Sequence, residues 1–125
     1  MGRGSGGLLD SPGNYQVKAM YYHFYAGSYA ETGSPGIYRC TYNSEDKSLE
    51  ARPEIFSVEN PSYLAESSDG RFLYAISETE NRCGTLYAYR ICEDGHLVHL
   101  NEASCVGMQL CHVTVDFGNH LVSVA

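Results

Sequence analysis

Short runs rich in β-branched and aromatic residues recur along most of the chain, separated by stretches of acids, glycine, asparagine and serine. Runs of this length between turn signals read as strands. Nine are predicted: Tyr21–Gly27, Ile37–Tyr42, Glu50–Val58, Tyr63–Glu66, Phe72–Ser77, Thr85–Ile91, Leu97–Glu102, His112–Val115 and His120–Ala125. No stretch longer than two turns carries a helical apolar stripe, so the chain is all-β. Eleven tyrosines and no tryptophan suit half-buried sheet surfaces.

The pattern repeats. A shift of 48 residues, without gaps, lays Gly36 on Gly84, Glu45-Asp46 on Glu93-Asp94, Leu49 on Leu97, Glu54 on Glu102, Val58 on Val106, Gly70 on Gly118 and Leu73 on Leu121. The matches fall on turn glycines, turn acids and strand leucines, the positions that geometry constrains. A period of that size with short strands inside each unit points to the four-stranded antiparallel blades of a β-propeller. Propellers close with roughly 4–8 blades, and this chain holds about two and a half. It therefore reads as part of a larger ring, truncated after the apolar run His120–Ala125, with residues 21–125 as the N-terminal part of the propeller domain. Residues 1–20, with Gly2, Gly4, Gly6, Gly7, Pro12 and Gly13, read as a flexible leader.

Connections between the strands alternate in length. Asn43–Lys47, Ser68–Arg71, Glu93–Gly95 and Asp116–Asn119 are compact, and Asp-Gly supplies the positive φ of a tight hairpin. Ser28–Gly36, Glu59–Ser62, Glu78–Gly84 and Ala103–Cys111 are longer and carry more chemistry. In an up-and-down meander, successive connections lie at opposite ends of the sheet. The longer loops therefore gather on one face of the disc, and a rigid scaffold that presents loops at a common focus favours a binding site there. Tyr29, Glu31, Thr32, Glu59, Asn60, Glu78, Asn81, Arg82 and His112 belong to that face.

Composition narrows the function. A net charge of −7 with only eight Lys and Arg offers no basic stripe, which excludes nucleic acid as the expected partner. No apolar run approaches the roughly 20 residues of a membrane span, and the leader lacks a signal-peptide core, so no membrane partner is expected and a cytoplasmic location is. The five cysteines, Cys40, Cys83, Cys92, Cys105 and Cys111, are irregularly spaced without a C-x-x-C pair. They read as reduced and mostly buried thiols, with no metal site and no cofactor motif.

The order Tyr25-Ala26-Gly27-Ser28-Tyr29, Gly36-Ile37-Tyr38, Glu59-Asn60-Pro61-Ser62-Tyr63-Leu64, Asp69-Gly70-Arg71-Phe72-Leu73-Tyr74-Ala75, Ser77-Glu78, Gly84 and Cys111-His112-Val113-Thr114-Val115-Asp116 carries a resemblance. It resembles the N-terminal part of the lactonase family of seven-bladed propellers, which includes bacterial 6-phosphogluconolactonases and a fungal carboxymuconate cyclase. Residues Glu59–Glu78 are its most specific portion. The chain departs at Leu110, where the family commonly has Pro, and in the Asp116–Gly118 turn, which is one residue short.

The resemblance implies a carboxylic-ester hydrolase that opens a small-molecule sugar lactone, first of all 6-phosphogluconolactone to 6-phosphogluconate in the pentose phosphate pathway. Such chemistry needs a base for water, stabilisation of the tetrahedral intermediate and a proton for the departing alkoxide. His112, at the start of an inner strand, is the acid/base candidate, because imidazole titrates near neutral pH. Glu78, where a strand emerges onto the long-loop face, is the second catalytic candidate, its pKa expected to be raised by partial burial. Asn60, expected to be extended before Pro61, and Arg82, the one Arg in a long loop, are the substrate-binding candidates. Each also has a structural alternative: a strand histidine satisfied by backbone, a solvated acid, a loop cap, a surface cation. Two further functions stay open, a cyclase-type lactone isomerase and a non-catalytic propeller scaffold. The polar long-loop face favours a small polar ligand, the isolated stretch is expected to be inactive, and the oligomeric state is not legible.

Overall fold

In the computed structural model, which describes residues 18–125, nine strands form three antiparallel sheets and no helix occurs among the described residues. The first sheet has the order β1 (Tyr21–Gly27), β2 (Ile37–Asn43), β3 (Leu49–Ile55). The second is a complete four-stranded meander of β4 (Tyr63–Glu66), β5 (Phe72–Ser77), β6 (Thr85–Ile91) and β7 (Leu97–Ser104). The third pairs β8 (Val113–Val115) with β9 (Val122–Val124). The expected leader lies outside the described residues as far as residue 17.

The 48-residue repeat acquires a structural meaning. Gly36 and Gly84 lead into β2 and β6, the Glu-Asp pairs occupy the following turns, and Leu49 and Leu97 open β3 and β7. Strands β1–β3 thus correspond to β5–β7. Among the described residues, the first sheet has no counterpart of β4.

Two cores join the sheets, and the alternation of β5 builds both. Leu73 and Ala75 point toward the first sheet, where they pack with Ile37, Val58, Tyr89 and Leu97. Ile76 and Tyr74 point the other way, onto Leu110, Val113, Val122 and Val124. A central strand buried on both faces in this way is what makes the middle sheet the anchor of the assembly.

Five strands differ from the sequence-based prediction at seven ends; β2 runs one residue further, to Asn43, β3 opens one residue earlier, at Leu49, and β9 ends one residue earlier, at Val124. Strand β3 stops at Ile55 because the Ile55 and Phe56 carbonyls turn to accept from Gly36 and Gly33 at 2.8 Å each, while Val58 drops into the core. Strand β7 runs on to Ser104, paired with Thr85. His112 precedes β8, although its backbone still exchanges two 3.0 Å bonds with Ala125. His120 and Leu121 belong to a turn: the Asp116 carboxylate accepts from both of their amides at 2.6 Å.

The thiols also differ. All five cysteines are free, but only Cys40 is buried; Cys83 and Cys111 are exposed and the other two are intermediate. Cys40 points into the face of a packed sheet, whereas the other four sit in or beside loops.

Candidate functional site

The longer loops are tied to one another. Asn60 donates its amide to the Ala30 carbonyl at 2.9 Å, Glu78 donates to the Asn60 carbonyl at 3.1 Å, and Gln109 donates to the Thr79 carbonyl at 2.9 Å. The compact turns make their own contact, with Ser68 bonded to Asn119 and to the Phe117 carbonyl. Tight turns and long loops are thus segregated, and the segments holding Asn60, Glu78 and His112 share one end of the sheets.

Asn60 is the hinge of this region. Its φ is +44°, so the extended conformation expected before Pro61 does not hold. Asparagine tolerates the left-handed region better than most residues, and three bonds repay the strain here. Besides the two backbone bonds above, its Nδ2 donates to the Glu78 carbonyl at 3.2 Å. Its own carbonyl also accepts from Ser62 at 2.7 Å, closing a three-residue turn around Pro61. The turn fits because Gly27 has no side chain: a Cβ there would stand 1.9 Å from the Pro61 carbonyl oxygen. Asn60 therefore fixes the loop onto the end of β5.

Glu78 follows directly on β5. The Tyr29 hydroxyl, from the β1–β2 loop, donates to Glu78 Oε2 at 2.8 Å. Ser62 Oγ lies against the same carboxylate; it is shielded from solvent and makes no fully formed hydrogen bond among the described residues. The Ser62 hydroxyl, and after it Tyr29, holds the Glu78 carboxyl below its ordinary range. This reverses the expected upward shift, because the carboxylate is too open to solvent for desolvation to prevail over its donors. The same bond raises the Tyr29 phenol. Glu78 is therefore an ionised acceptor at neutral pH.

His112 is exposed, and its ring stands 4.5 Å from the ring of Tyr63 at an angle of 48°. No hydrogen bond links it to Glu78 among the described residues. Arg82 lies on the same loop as Glu78 but is paired with Glu59, and Thr79 Oγ1 donates to the Arg82 carbonyl at 2.9 Å. Asn60 and Glu78 are in direct contact, His112 stands beside Tyr63, and Arg82 is engaged separately. Tyr29, Ser62 and Tyr63 were not among the candidates. The signal for Tyr29 was its place on the long-loop face, and for the other two their place within the most specific run.

A cavity of about 570 Å³ lies elsewhere, between the face of the first sheet and the tight turns of the second. It is lined by His23, Arg39, Arg52, Glu66 and Asp94 among others. Its cations are already occupied, Arg39 by the Asp94 carbonyl and Glu54, and Arg52 by Glu50. The described residues contain no group of three His, Cys, Asp or Glu side chains able to hold a metal ion. No helix among them is long and apolar enough to cross a membrane.

Comparison with known proteins agrees with this geometry. The family model described as lactonase, 7-bladed beta-propeller, matches residues 23–125. A Bacillus subtilis protein named 6-phosphogluconolactonase is 34% identical over 102 residues, covering 81% of this chain and 29% of its own length. A solved structure of a Lactobacillus plantarum protein is 29% identical with a TM-score of 0.70, over 85% of this chain and 30% of that one. The periplasmic gluconolactonase of Pseudomonas aeruginosa shares the fold, with a TM-score of 0.74 at 22% identity over 84% of this chain and 31% of that one. The chain thus spans less than a third of the length of these relatives. It belongs to the lactonase family of seven-bladed β-propellers.

Proposed function

From that membership, we propose that a propeller carrying this sector hydrolyses a sugar lactone, 6-phosphogluconolactone first among the substrates to test. The observation that carries the reading is the joining of Tyr29, Asn60 and Glu78 across two sheets, with His112 opening the third at the same end. Residues 21–125 supply the N-terminal blades of the ring and residues 1–20 a leader to it. Five free thiols support a reducing, cytoplasmic setting.

In this mechanism the His112 imidazole takes a proton from water as the water oxygen bonds to the lactone carbonyl carbon. The tetrahedral intermediate then collapses, the ring C–O bond breaks with its electron pair on the ring oxygen, and the imidazolium returns the proton to that alkoxide. Glu78, ionised, accepts hydrogen bonds and does not serve as the acid. Asn60 holds the loop that presents Glu78. Arg82 reaches an anionic substrate by exchanging Glu59 for a ligand oxygen.

The test is a hybrid in which residues 21–125 replace the matching segment of the Bacillus subtilis relative. It should consume 6-phosphogluconolactone faster than the spontaneous reaction. His112→Ala should slow it by about 100-fold or more, with the thermal melt unchanged. A hybrid that folds but does not exceed the spontaneous rate sinks the lactonase reading; full activity in the His112 variant removes His112 from the mechanism.

A further inference from the structure

We infer that Tyr29, Glu78 and the Tyr63–His112 ring pair form a subsite for the hydroxyl-bearing edge of a neutral polyol ring, and not for an anionic group. The inference rests on the proposed function for its substrate class and specifies which part of that substrate this sector holds.

Three observations support it. The first is the character of Glu78. With Tyr29 already donating to Oε2 at 2.8 Å, the carboxylate keeps acceptor capacity toward solvent and offers no proton of its own. Groups that pair with it must be donors, and sugar hydroxyls are donors. Charge-assisted hydrogen bonds to a fixed carboxylate are about twice as strong as neutral ones.

The second is the aromatic surface beside it. Tyr63, at the start of the edge strand β4, is 40% exposed, and Tyr29 is 72% exposed. Ser62, which lies against Glu78, directly precedes Tyr63 at the start of β4, so carboxylate and ring are carried by adjoining segments. The Gln109 amide donates to the Thr79 carbonyl at 2.9 Å, which ties the segment leading to His112 to the residue after Glu78. Exposed tyrosine rings with an apolar body and a polar tip suit the C–H face and the hydroxyl edge of a pyranose-like ring together.

The third is the sign of the local field. The long-loop residues around Glu78 include the exposed acids Glu31 and Glu80. The one guanidinium of these loops, on Arg82, is paired with Glu59. A phosphate brought against Glu78 would meet like charge, which Arg82 offsets only by giving up Glu59. A neutral hydroxyl edge meets no such penalty.

The experiment uses the 125-residue chain and ring-proton NMR of Tyr29, Tyr63 and His112. The probes are D-gluconolactam, a neutral and hydrolysis-resistant ring, and inorganic phosphate. The lactam should shift all three rings saturably, phosphate should not, and Glu78→Gln should weaken lactam binding about tenfold. Tyr29→Phe, which keeps the ring and deletes the donor to Glu78, serves as a second variant should Glu78→Gln lose its fold. It should weaken binding less than tenfold while Tyr63 and His112 still respond. Saturable shifts of these rings by phosphate, or none by the lactam, would overturn the inference. So would lactam binding indifferent to both substitutions. Binding without lactone turnover in the hybrid leaves this subsite standing and removes the hydrolase; turnover without Glu78-dependent binding does the reverse.

Discussion

Glu54 and Glu78 both join the first sheet to the second, yet the chain uses them in contrary ways. Glu54, in β3, is buried at the joint with its side chain only 6% exposed. Its Oε1 accepts the Leu97 amide at 2.7 Å, His96 Nδ1 stands 3.0 Å away, and the Arg39 Nε is 3.8 Å from Oε2. Arg39 then donates to the Asp94 carbonyl at 2.6 Å, so the β6–β7 turn is locked onto the first sheet. Every oxygen of that carboxylate serves the fold. Glu78 accepts one phenol, leans on one serine hydroxyl and leaves the rest of its capacity to solvent. A buried carboxylate with a full set of partners is architecture; an open one held in a single orientation is available for chemistry.

The contrast breaks first at Glu54. Replacing it with alanine strands the part-buried Leu97 amide and removes one partner of Arg39 and one of His96. Such losses cost on the order of 3 kcal/mol. Urea unfolding should show a fall of about that size, while the NMR titration of the Glu78 carboxyl stays where it was. A loss below about 1 kcal/mol would mean that Glu54 behaves as a surface group, and the distinction between the two carboxylates would go with it.

A smaller effect is expected at the rim. Tyr29→Phe deletes a donor that favours the ionised carboxyl, so the pKa of Glu78 should rise toward its ordinary value, read from its carboxyl carbon shift. The sign for stability follows from linkage. A depressed carboxylate contributes above its unfolded pKa, and that contribution disappears as pH falls through the lower folded value. In the variant the window therefore narrows: the loss still begins near the unfolded value of about 4.3, is smaller, and is complete at a higher pH. Stability at neutral pH should hardly move, because the group is open to solvent. Ser62→Ala should move the titration in the same direction. If neither substitution moves it, the orientation of Glu78 has another source.

These differences also mark what the sequence could disclose. Strand windows, hairpin turns and the 48-residue repeat depend on local chemistry, and four of nine strands, Tyr21–Gly27, Tyr63–Glu66, Phe72–Ser77 and Thr85–Ile91, have the predicted bounds. The strand ends that moved furthest are those where a distant partner intervenes, as at Ile55, or where a side chain captures its own turn, as at Asp116. Alternate loop lengths sufficed to bring Asn60 and Glu78 to one end. What stayed hidden is pairing across sheets. Tyr29 and Glu78 are 49 residues apart, and Glu54 and His96 are 42, with no periodic signal to connect them. The direction of the Glu78 shift was hidden for the same reason, since it depends on donors supplied by other segments.

The smallest effect lies between the two carboxylates, at Tyr89. This residue is completely buried in the core shared by the first two sheets, and its hydroxyl finds no hydrogen-bond partner among the described residues. Burial drives the phenol far up from its ordinary pKa, so it stays protonated throughout the accessible range. The ring contributes packing, with Tyr87 stacked 6.5 Å away and the edge of His99 at 5.7 Å. The hydroxyl contributes a desolvation cost without a bond in return. Tyr89→Phe keeps the ring and removes only that cost, so stability should hold or rise by up to about 1 kcal/mol, measured by urea unfolding. Neither the Glu78 titration nor lactone turnover in the hybrid should respond. A loss of more than about 1 kcal/mol would reveal a partner for the Tyr89 hydroxyl. The joint between the sheets would then depend on a polar contact at its centre as well as at Glu54, and the division between a structural interior and a chemical rim would need redrawing around it.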